Sequence, residues 1–220
     1  MSVRPHFREL LDAGGAPPEE VARSLADLRR INRWLGGRRV LLGMLEAEVD
    51  RAGLETFSLL DVGAASGDLA AAVAARFPAA RIVLCDLKPH HLPRNHCHRI
   101  AAAAARLPFR ASTFDFVSAS LLLHHFPDEE AVAVLRLFGS LARRAVLIND
   151  LERHWFPLAF LRLSAPVFTT SYLTRHDGEA SVRQAFRPEE LGAIALAAGF
   201  RDFSVRRHWP WFRLSLVARR

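Results

Sequence analysis

The chain has few cysteines and no long apolar run. Its 220 residues include only two cysteines, Cys85 and Cys97. No apolar run approaches the ~18 uncharged residues that a membrane-spanning helix needs, and the N-terminal stretch MSVRPHFRELLD lacks the apolar segment of a secretory signal. We therefore expect two free thiols in a protein of the reducing cytoplasm, without a membrane span.

The chain also has almost no lysine. Lys88 is the only lysine, so the formal charge of +7 comes almost entirely from arginine. The arginines are scattered in pairs along the chain and form no basic tract, which disfavours a nucleic-acid partner despite the charge. An anionic partner remains an open alternative. Half of the residues are hydrophobic and 24% are charged, as in a globular domain.

Hydrophobic patterning predicts an α/β fold preceded by helices. Apolar residues recur at three- and four-residue spacing from Val21 to Leu35, and residues 1–54 are predicted to form a helical N-terminal cap. From Phe57 onward, short apolar runs alternate with helical segments, which indicates a parallel sheet with helices on both faces. Two strand-like runs near the C-terminus flank Pro210, so the last two strands are predicted to be antiparallel.

The run LLDVGAASGDLA predicts a strand, a glycine turn and a helix start, where a backbone can approach a ligand. A dinucleotide site would need G-x-G-x-x-G, but Ala65 and Asp68 occupy the second and third glycine positions. S-adenosylmethionine (SAM), which carries a sulfonium and an amine, tolerates nearby carboxylates better than a pyrophosphate does. Asp86 ends the next strand, 19 residues after Gly67, where a nucleoside presents its ribose hydroxyls.

These runs, together with IVLCDLKP, ARLPFRASTFDFVSASLLLHHFPD and RPEELGAIALAAGF, resemble class I SAM-dependent methyltransferases, in particular the small-molecule branch that includes quinone-biosynthesis enzymes. The resemblance covers residue 57 to the C-terminus. It implies a Rossmann-like sheet of seven strands, mostly parallel with an antiparallel last strand, in residues 55–220, with a lid insertion near 151–187. It also implies a set of cofactor-binding residues: Asp61, Gly63, Ala65, Gly67, Asp86, Leu87, Leu107 and Ser118.

Two positions depart from the family pattern. Ala65 stands where many relatives carry glycine, and Ala103 stands where relatives often place an Asp that binds the adenine amine. The loss of that Asp predicts weaker cofactor binding. It keeps open the alternative that the chain is a non-catalytic SAM-fold binding or partner subunit.

The stretch CDLKPHHLPRNHCHR contains four of the ten histidines. His91, His96 and His98 could converge on a metal, but the stretch is turn-rich and its Asp86 is assigned to the cofactor. We therefore predict a cofactor loop, and no metal site.

Methyl transfer to a hydroxyl requires alignment and removal of a proton. His176 is the first candidate for the base and His124, after the fourth strand, is the second. Aromatic residues of the lid predict an apolar acceptor, such as an aromatic or polyketide-like hydroxyl of secondary metabolism. An RNA methyltransferase is a disfavoured alternative, because SASLLLHHF occupies the place of an Asn/Asp-Pro-Pro-aromatic motif. The oligomeric state stays open, with a homodimer as one option.

Overall fold

The computed structural model describes residues 4–7, 9–93 and 98–220. Their strands form one sheet of seven, in the order β3-β2-β1-β4-β5-β7-β6. The strands are β1 (Ser58–Val62), β2 (Arg81–Asp86), β3 (His98–Ala101), β4 (Phe114–Ser120), β5 (Ala142–Leu151), β6 (Asp202–His208) and β7 (Arg213–Arg219). Strand β7 is antiparallel to both β5 and β6, and β1 to β5 are parallel. The predicted Rossmann-like sheet is therefore confirmed.

Helices cover both faces of the sheet. The helices are α1 (Leu10–Ala13), α2 (Pro18–Trp34), α3 (Gly37–Ala52), α4 (Asp68–Arg76), α5 (Asp128–Leu141), α6 (Trp155–Phe168), α7 (Tyr172–Gln184) and α8 (Pro188–Ala197), with a 3₁₀ turn at Leu123–His125. Because side chains alternate along a strand, Leu59 and Leu147 pack with α3 and α4, whereas Leu60 and Ile148 pack with α5 and α8. Two apolar cores result, one on each face.

Of the N-terminal helices, α3 packs on the sheet, whereas α1 and α2 contribute to the cap. Helix α3 buries Leu41, Met44 and Leu45 in the core on one face, so the predicted boundary at residue 54 separates this helix from the sheet that it covers. Helices α1 and α2 instead contact α7, which in turn contacts α6 and the 3₁₀ turn. The cap thus consists of residues before α3 together with the lid helices α6 and α7.

Arg4 fixes the start of the described chain against the sheet. Its buried guanidinium donates to the carbonyl oxygen of His124 at 3.0 Å and pairs with Asp128 at 2.9 Å. It also lies over the ring of Phe186, 4.1 Å from the centroid. Glu9 is consequently held close to the carboxyl ends of the parallel strands. Within the described residues, no helix is both long and apolar enough to cross a membrane.

Candidate active site

A cavity of about 870 Å³ lies between the carboxyl ends of the central strands and the cap. Such edges are where ligands bind in open α/β sheets. Its walls come from the glycine turn after β1, the ends of β2, β4 and β5, the helices α2, α6 and α7, and the β6–β7 connection. The volume is near the upper end of the range of about 300–1,000 Å³ for ligand pockets. It offers space for a cofactor and a second molecule.

The glycine turn is held open by its backbone. Gly63 and Gly67 have positive φ angles of 71° and 67°, and Ala65 between them also has a positive φ of 43°. The amides of Gly63 and Ala64 donate to the carbonyl oxygen of Cys85 at 2.8 and 3.0 Å, which ties the turn to β2. A side chain at Gly67 would place its Cβ 2.7 Å from Pro93, so this glycine is required by close packing.

Three carboxylates face the cavity around this turn. Asp86 accepts hydrogen bonds from the backbone amides of Ala65 at 2.8 Å and Lys88 at 2.9 Å. Asp61 is buried and accepts a hydrogen bond from Ser118 Oγ at 2.8 Å. Asp68, the first residue of α4, has its nearest cation in Arg38, whose Nε lies 3.9 Å away. All three line the cavity.

Arg38 and Arg213 compensate this negative charge only in part. Burial raises the pKa of Asp61 to about 7, and the neighbouring charges of Asp68 and Asp86 raise it further, against the hydrogen bond from Ser118. Burial also raises the pKa of Asp68. A cation in the cavity would reverse these shifts, so the arrangement favours a positively charged ligand.

Five of the eight predicted cofactor-binding residues line this cavity, and the other three do not. Asp61, Gly63, Ala65, Asp86 and Leu87 line it, and Leu87 is 66% exposed. Gly67, Leu107 and Ser118 do not line it. Ser118 acts through its hydrogen bond to Asp61, Gly67 shapes the turn, and Leu107 is buried in the apolar core.

Ala103 lies in the cavity wall, at the position where relatives often carry an Asp that binds the adenine amine. It lines the cavity with its neighbours from Ala102 to Ala105, and the amide of Ala102 donates to the carbonyl oxygen of Asp86 at 3.1 Å. The alanine side chains offer no hydrogen-bonding group there. Cofactor contacts in this wall are consequently limited to backbone atoms and apolar surface.

Arg213 is a cavity residue that sequence reasoning missed. Its fully buried guanidinium donates to the carbonyl oxygen of Leu35 at 2.9 Å and to Asn32 at 3.3 Å. Its Nη1 has no hydrogen-bond partner among the residues that the structure describes. Burial lowers the pKa of Arg213 to about 10, partly offset by Asp150 and Asp68. A buried cation with a spare donor suits an anionic ligand group.

His124 is held between two carboxylates. Its Nδ1 lies 2.6 Å from Asp150 Oδ1, and its Nε2 lies 3.5 Å from Glu9 Oε1. Although burial lowers the pKa of His124, the two carboxylates raise it to about 10. A raised pKa favours the protonated imidazole at neutral pH, and His124 as the general base stays a prediction.

His176 lies outside the cavity. The α7 residues that line the cavity are Thr174, Asp177, Gly178, Ser181 and Val182. The side chain of His176 is 55% exposed, and its Nδ1 lies 3.0 Å from Asp177 Oδ1. Since adjacent helical residues point about 100° apart, the helix that brings Asp177 inward turns His176 away. The structure does not support His176 as the base.

The histidine-rich stretch forms no metal cluster within the described part of the chain. His90 and His91 stack edge-to-face at 4.6 Å, and His98 lies on the exposed edge strand β3. No group of three metal-ligating side chains includes them among the described residues. The predictions for His96 and Cys97 fall outside the described residues.

Much of the remaining cavity wall is apolar. Leu28, Ile31 and Leu35, which belong to the predicted apolar face of α2, line the cavity. Contacts between α2 and the start of α7 are polar: Ser24 accepts from Thr174 at 3.2 Å, and Glu20 accepts from the amide of Tyr172 at 2.8 Å. Further apolar walls are supplied by Leu122, Phe126, Phe156, Phe160, Leu161, Trp211 and Phe212.

Comparison with known proteins identifies the central part of the chain. Residues 59–144 match the family described as a methyltransferase domain. No curated protein matches the chain in sequence.

Solved structures share the whole fold at low sequence identity. Human N-acetylserotonin methyltransferase in complex with SAM is 17% identical, with a TM-score of 0.64 over 97% of this chain and 63% of that chain. Plantazolicin methyltransferase BpumL with S-adenosylhomocysteine (SAH) is 13% identical, with a TM-score of 0.65 over 91% and 95%. Magnesium protoporphyrin IX methyltransferase from Synechocystis PCC 6803 with SAH is 18% identical, with a TM-score of 0.61 over 89% and 93%.

The chain thus spans less than two thirds of the human enzyme and nearly the full length of the other two. Residues 59–144 thus match a methyltransferase domain, and the chain shares the fold of these SAM- and SAH-bound methyltransferases.

Proposed function

Because residues 59–144 match a methyltransferase domain and the chain shares the fold of SAM-bound methyltransferases, we propose that it binds SAM and transfers the methyl group to a hydrophobic small molecule. The observation that carries the proposal is the meeting of three carboxylates, Asp61, Asp68 and Asp86, with a large apolar cavity. The carboxylates match the cationic charge of SAM, and the apolar walls leave room for an acceptor. When bound, SAM supplies an electrophilic methyl group on its sulfonium.

The residues present fit this cofactor. Asp86 retains free lone pairs for ribose hydroxyls, because each oxygen accepts one backbone amide. Asp61 and Asp68 would offset the charge of the amine and the sulfonium. Arg213 would bind the methionine carboxylate with its spare Nη1, and Coulombic coupling of Arg213 to Asp68 supports this end of the cavity for the amino-acid group. Leu87 and the alanine wall would contact the adenine.

The acceptor is proposed to be an aromatic or polyketide-like molecule with a hydroxyl group. Phe126, Phe156, Phe160 and Trp211 line the cavity and would pack against a planar or apolar body. The structural neighbours act on N-acetylserotonin, plantazolicin and magnesium protoporphyrin IX, according to their names. The contribution of this chain would be to align the acceptor with the cofactor and to exclude water.

The test is thermal unfolding of the protein with and without SAM or SAH, for the wild type and for Asp86→Asn. At a ligand concentration a hundredfold above Kd, binding adds about 2.7 kcal/mol, which raises Tm by roughly 5–11 °C in a domain of this size. The shift should be lost in Asp86→Asn and kept in the control Asp50→Asn, which changes an exposed carboxylate of α3.

A shift at millimolar SAM that Asp86→Asn leaves unchanged would contradict the proposed site. Absence of any shift would favour the alternative that the chain is a non-catalytic partner subunit, for which Ala103 is the specific observation. Once binding is established, methyl transfer from labelled SAM to a panel of phenols and apolar enols tests the acceptor class.

A further inference from the structure

A second cluster of polar side chains lies at the cavity, away from the three carboxylates. Glu9, His124 and His125 all line the cavity, and one ligand atom from each lies within 4.8 Å of the other two. Glu9 Oε1 is 3.5 Å from His124 Nε2, and Glu9 Oε2 is 3.7 Å from His125 Nε2. Tetrahedral ligands that lie about 2.0–2.2 Å from zinc are roughly 3.4 Å apart. The two distances to the Glu9 carboxylate are close to that value, and the three ligand atoms lie within 4.8 Å of one another.

The surroundings of the cluster resemble the outer shell of a metal centre. The Nδ1 of His124 bonds to the buried carboxylate of Asp150 at 2.6 Å, which directs Nε2 toward Glu9. Metal-ligating histidines are usually oriented by such a carboxylate on the other ring nitrogen. Glu9 accepts hydrogen bonds from Ser181 at 2.5 Å and from Gln184 at 2.9 Å, so its orientation is also fixed.

His124 Nε2 provides an independent sign of a missing ligand. This nitrogen is buried, and it makes no hydrogen bond among the residues that the structure describes. A buried polar atom that makes no hydrogen bond is destabilising. A metal ion that replaces the proton on Nε2 would satisfy this atom and would neutralise the charges of Glu9 and Asp150 together. The guanidinium of Arg4 donates to the backbone oxygen of His124 at 3.0 Å.

We propose that Glu9, His124 and His125 bind a divalent transition metal such as Zn²⁺, with its open coordination position facing the cavity. Two imidazoles and one carboxylate form a ligand set that zinc uses in catalytic sites with one free position. The free position would take an oxygen of the methyl acceptor and lower the pKa of its hydroxyl. This last role rests on the proposed function; the metal site itself does not.

The first measurement is the metal content of protein purified without chelator, followed by titration of the stripped protein with Zn²⁺ and Co²⁺ in the absence of SAM. We expect about one equivalent per chain, a rise in Tm with Zn²⁺, and the visible absorption of Co²⁺ bound by nitrogen and oxygen. Glu9→Gln and His125→Asn should each weaken metal binding by at least tenfold, and Asp150→Asn by about 10- to 100-fold.

The matched control is the double variant His90→Asn/His98→Asn, which changes two histidines of the histidine-rich stretch. It should bind the metal like the wild type. No metal and no Tm shift in the wild type would overturn the proposal, as would binding that is lost only in the control. Circular dichroism of each stripped variant separates loss of the site from loss of the fold. Because Asp86→Asn should abolish SAM binding and keep the metal, the two proposals fail independently.

Discussion

The pKa of Asp61 predicts that SAM affinity depends on pH near neutrality. The carboxylate is buried, and its pKa is raised to about 7 by burial and by Asp68 and Asp86. SAM brings positive charge and should bind the ionised form. Lowering the pH from 8 to 6 changes the ionised fraction about tenfold, so Kd should rise about tenfold, or about 1.4 kcal/mol.

Asp61→Asn makes the prediction specific. The amide can still accept the hydrogen bond of Ser118 and cannot ionise. At pH 8 the variant should bind SAM about 10- to 100-fold more weakly, because a charged hydrogen bond contributes roughly 1.5–3 kcal/mol. At pH 6, where the wild-type carboxylate is mostly protonated, the difference between the two proteins should be about tenfold smaller than at pH 8. Isothermal titration calorimetry at pH 6, 7 and 8 measures both curves, with Asp50→Asn as the control.

The same substitution should stabilise the ligand-free protein at high pH. Because the folded pKa of Asp61 exceeds the unfolded value of 3.8, the folded state holds the proton more tightly, and stability falls as pH rises from about 3.8 to about 7. At pH 8, Asp61→Asn can recover as much as about 4 kcal/mol. A wild-type Kd that is flat between pH 6 and 8, or a pH dependence that persists in Asp61→Asn, would refute the reasoning.

Three further predictions concern residues around the cavity. Ala103→Asp should tighten SAM binding about tenfold by calorimetry, because a carboxylate in the alanine wall can accept from the adenine amine; unchanged affinity would place the adenine elsewhere. Arg213→Met should weaken SAM binding at least tenfold. The affinity for 5′-methylthioadenosine, which has no carboxylate, should change by no more than about twofold. An equal loss of affinity for both ligands would contradict the assigned contact. His176→Ala should keep methyl transfer within about twofold of the wild type, since the side chain lies outside the cavity, and a large loss would restore His176 as a base.

The fold was predictable because most strands carry a local signal. Strands β1, β2, β4, β5 and β7 are buried apolar runs, and β6 follows from its proximity to β7. Strand β3 is the exception, since its four residues have no fully buried side chain. Its existence followed only from the family resemblance. A short edge strand buries too little to leave an apolar pattern.

The cofactor half of the site was predictable for a similar reason. The glycine turn and Asp86 belong to two neighbouring strands, and spacing along the chain reports their proximity. The other half combines distant segments. Glu9 precedes α1, Asp150 is the second-last residue of β5 and Arg213 begins β7, and no spacing rule links them. Only the packing of the cap against the sheet edge brings Glu9 and Arg213 to one cavity, with Asp150 buried behind its wall.

The distribution of apolar and charged side chains indicates that the cavity is a ligand-binding site. Helix α2 directs Leu28, Ile31 and Leu35 into the cavity and uses polar side chains for its contacts with α7. The hydrophobic periodicity therefore predicted the apolar face of α2 correctly, but this face lines the cavity. Asp61 and Arg213 are also buried at the cavity. Burial and two neighbouring carboxylates raise the pKa of Asp61, and Nη1 of Arg213 makes no hydrogen bond within the described residues. Burial of such groups destabilises the free protein, and ligands of opposite charge would recover that free energy on binding.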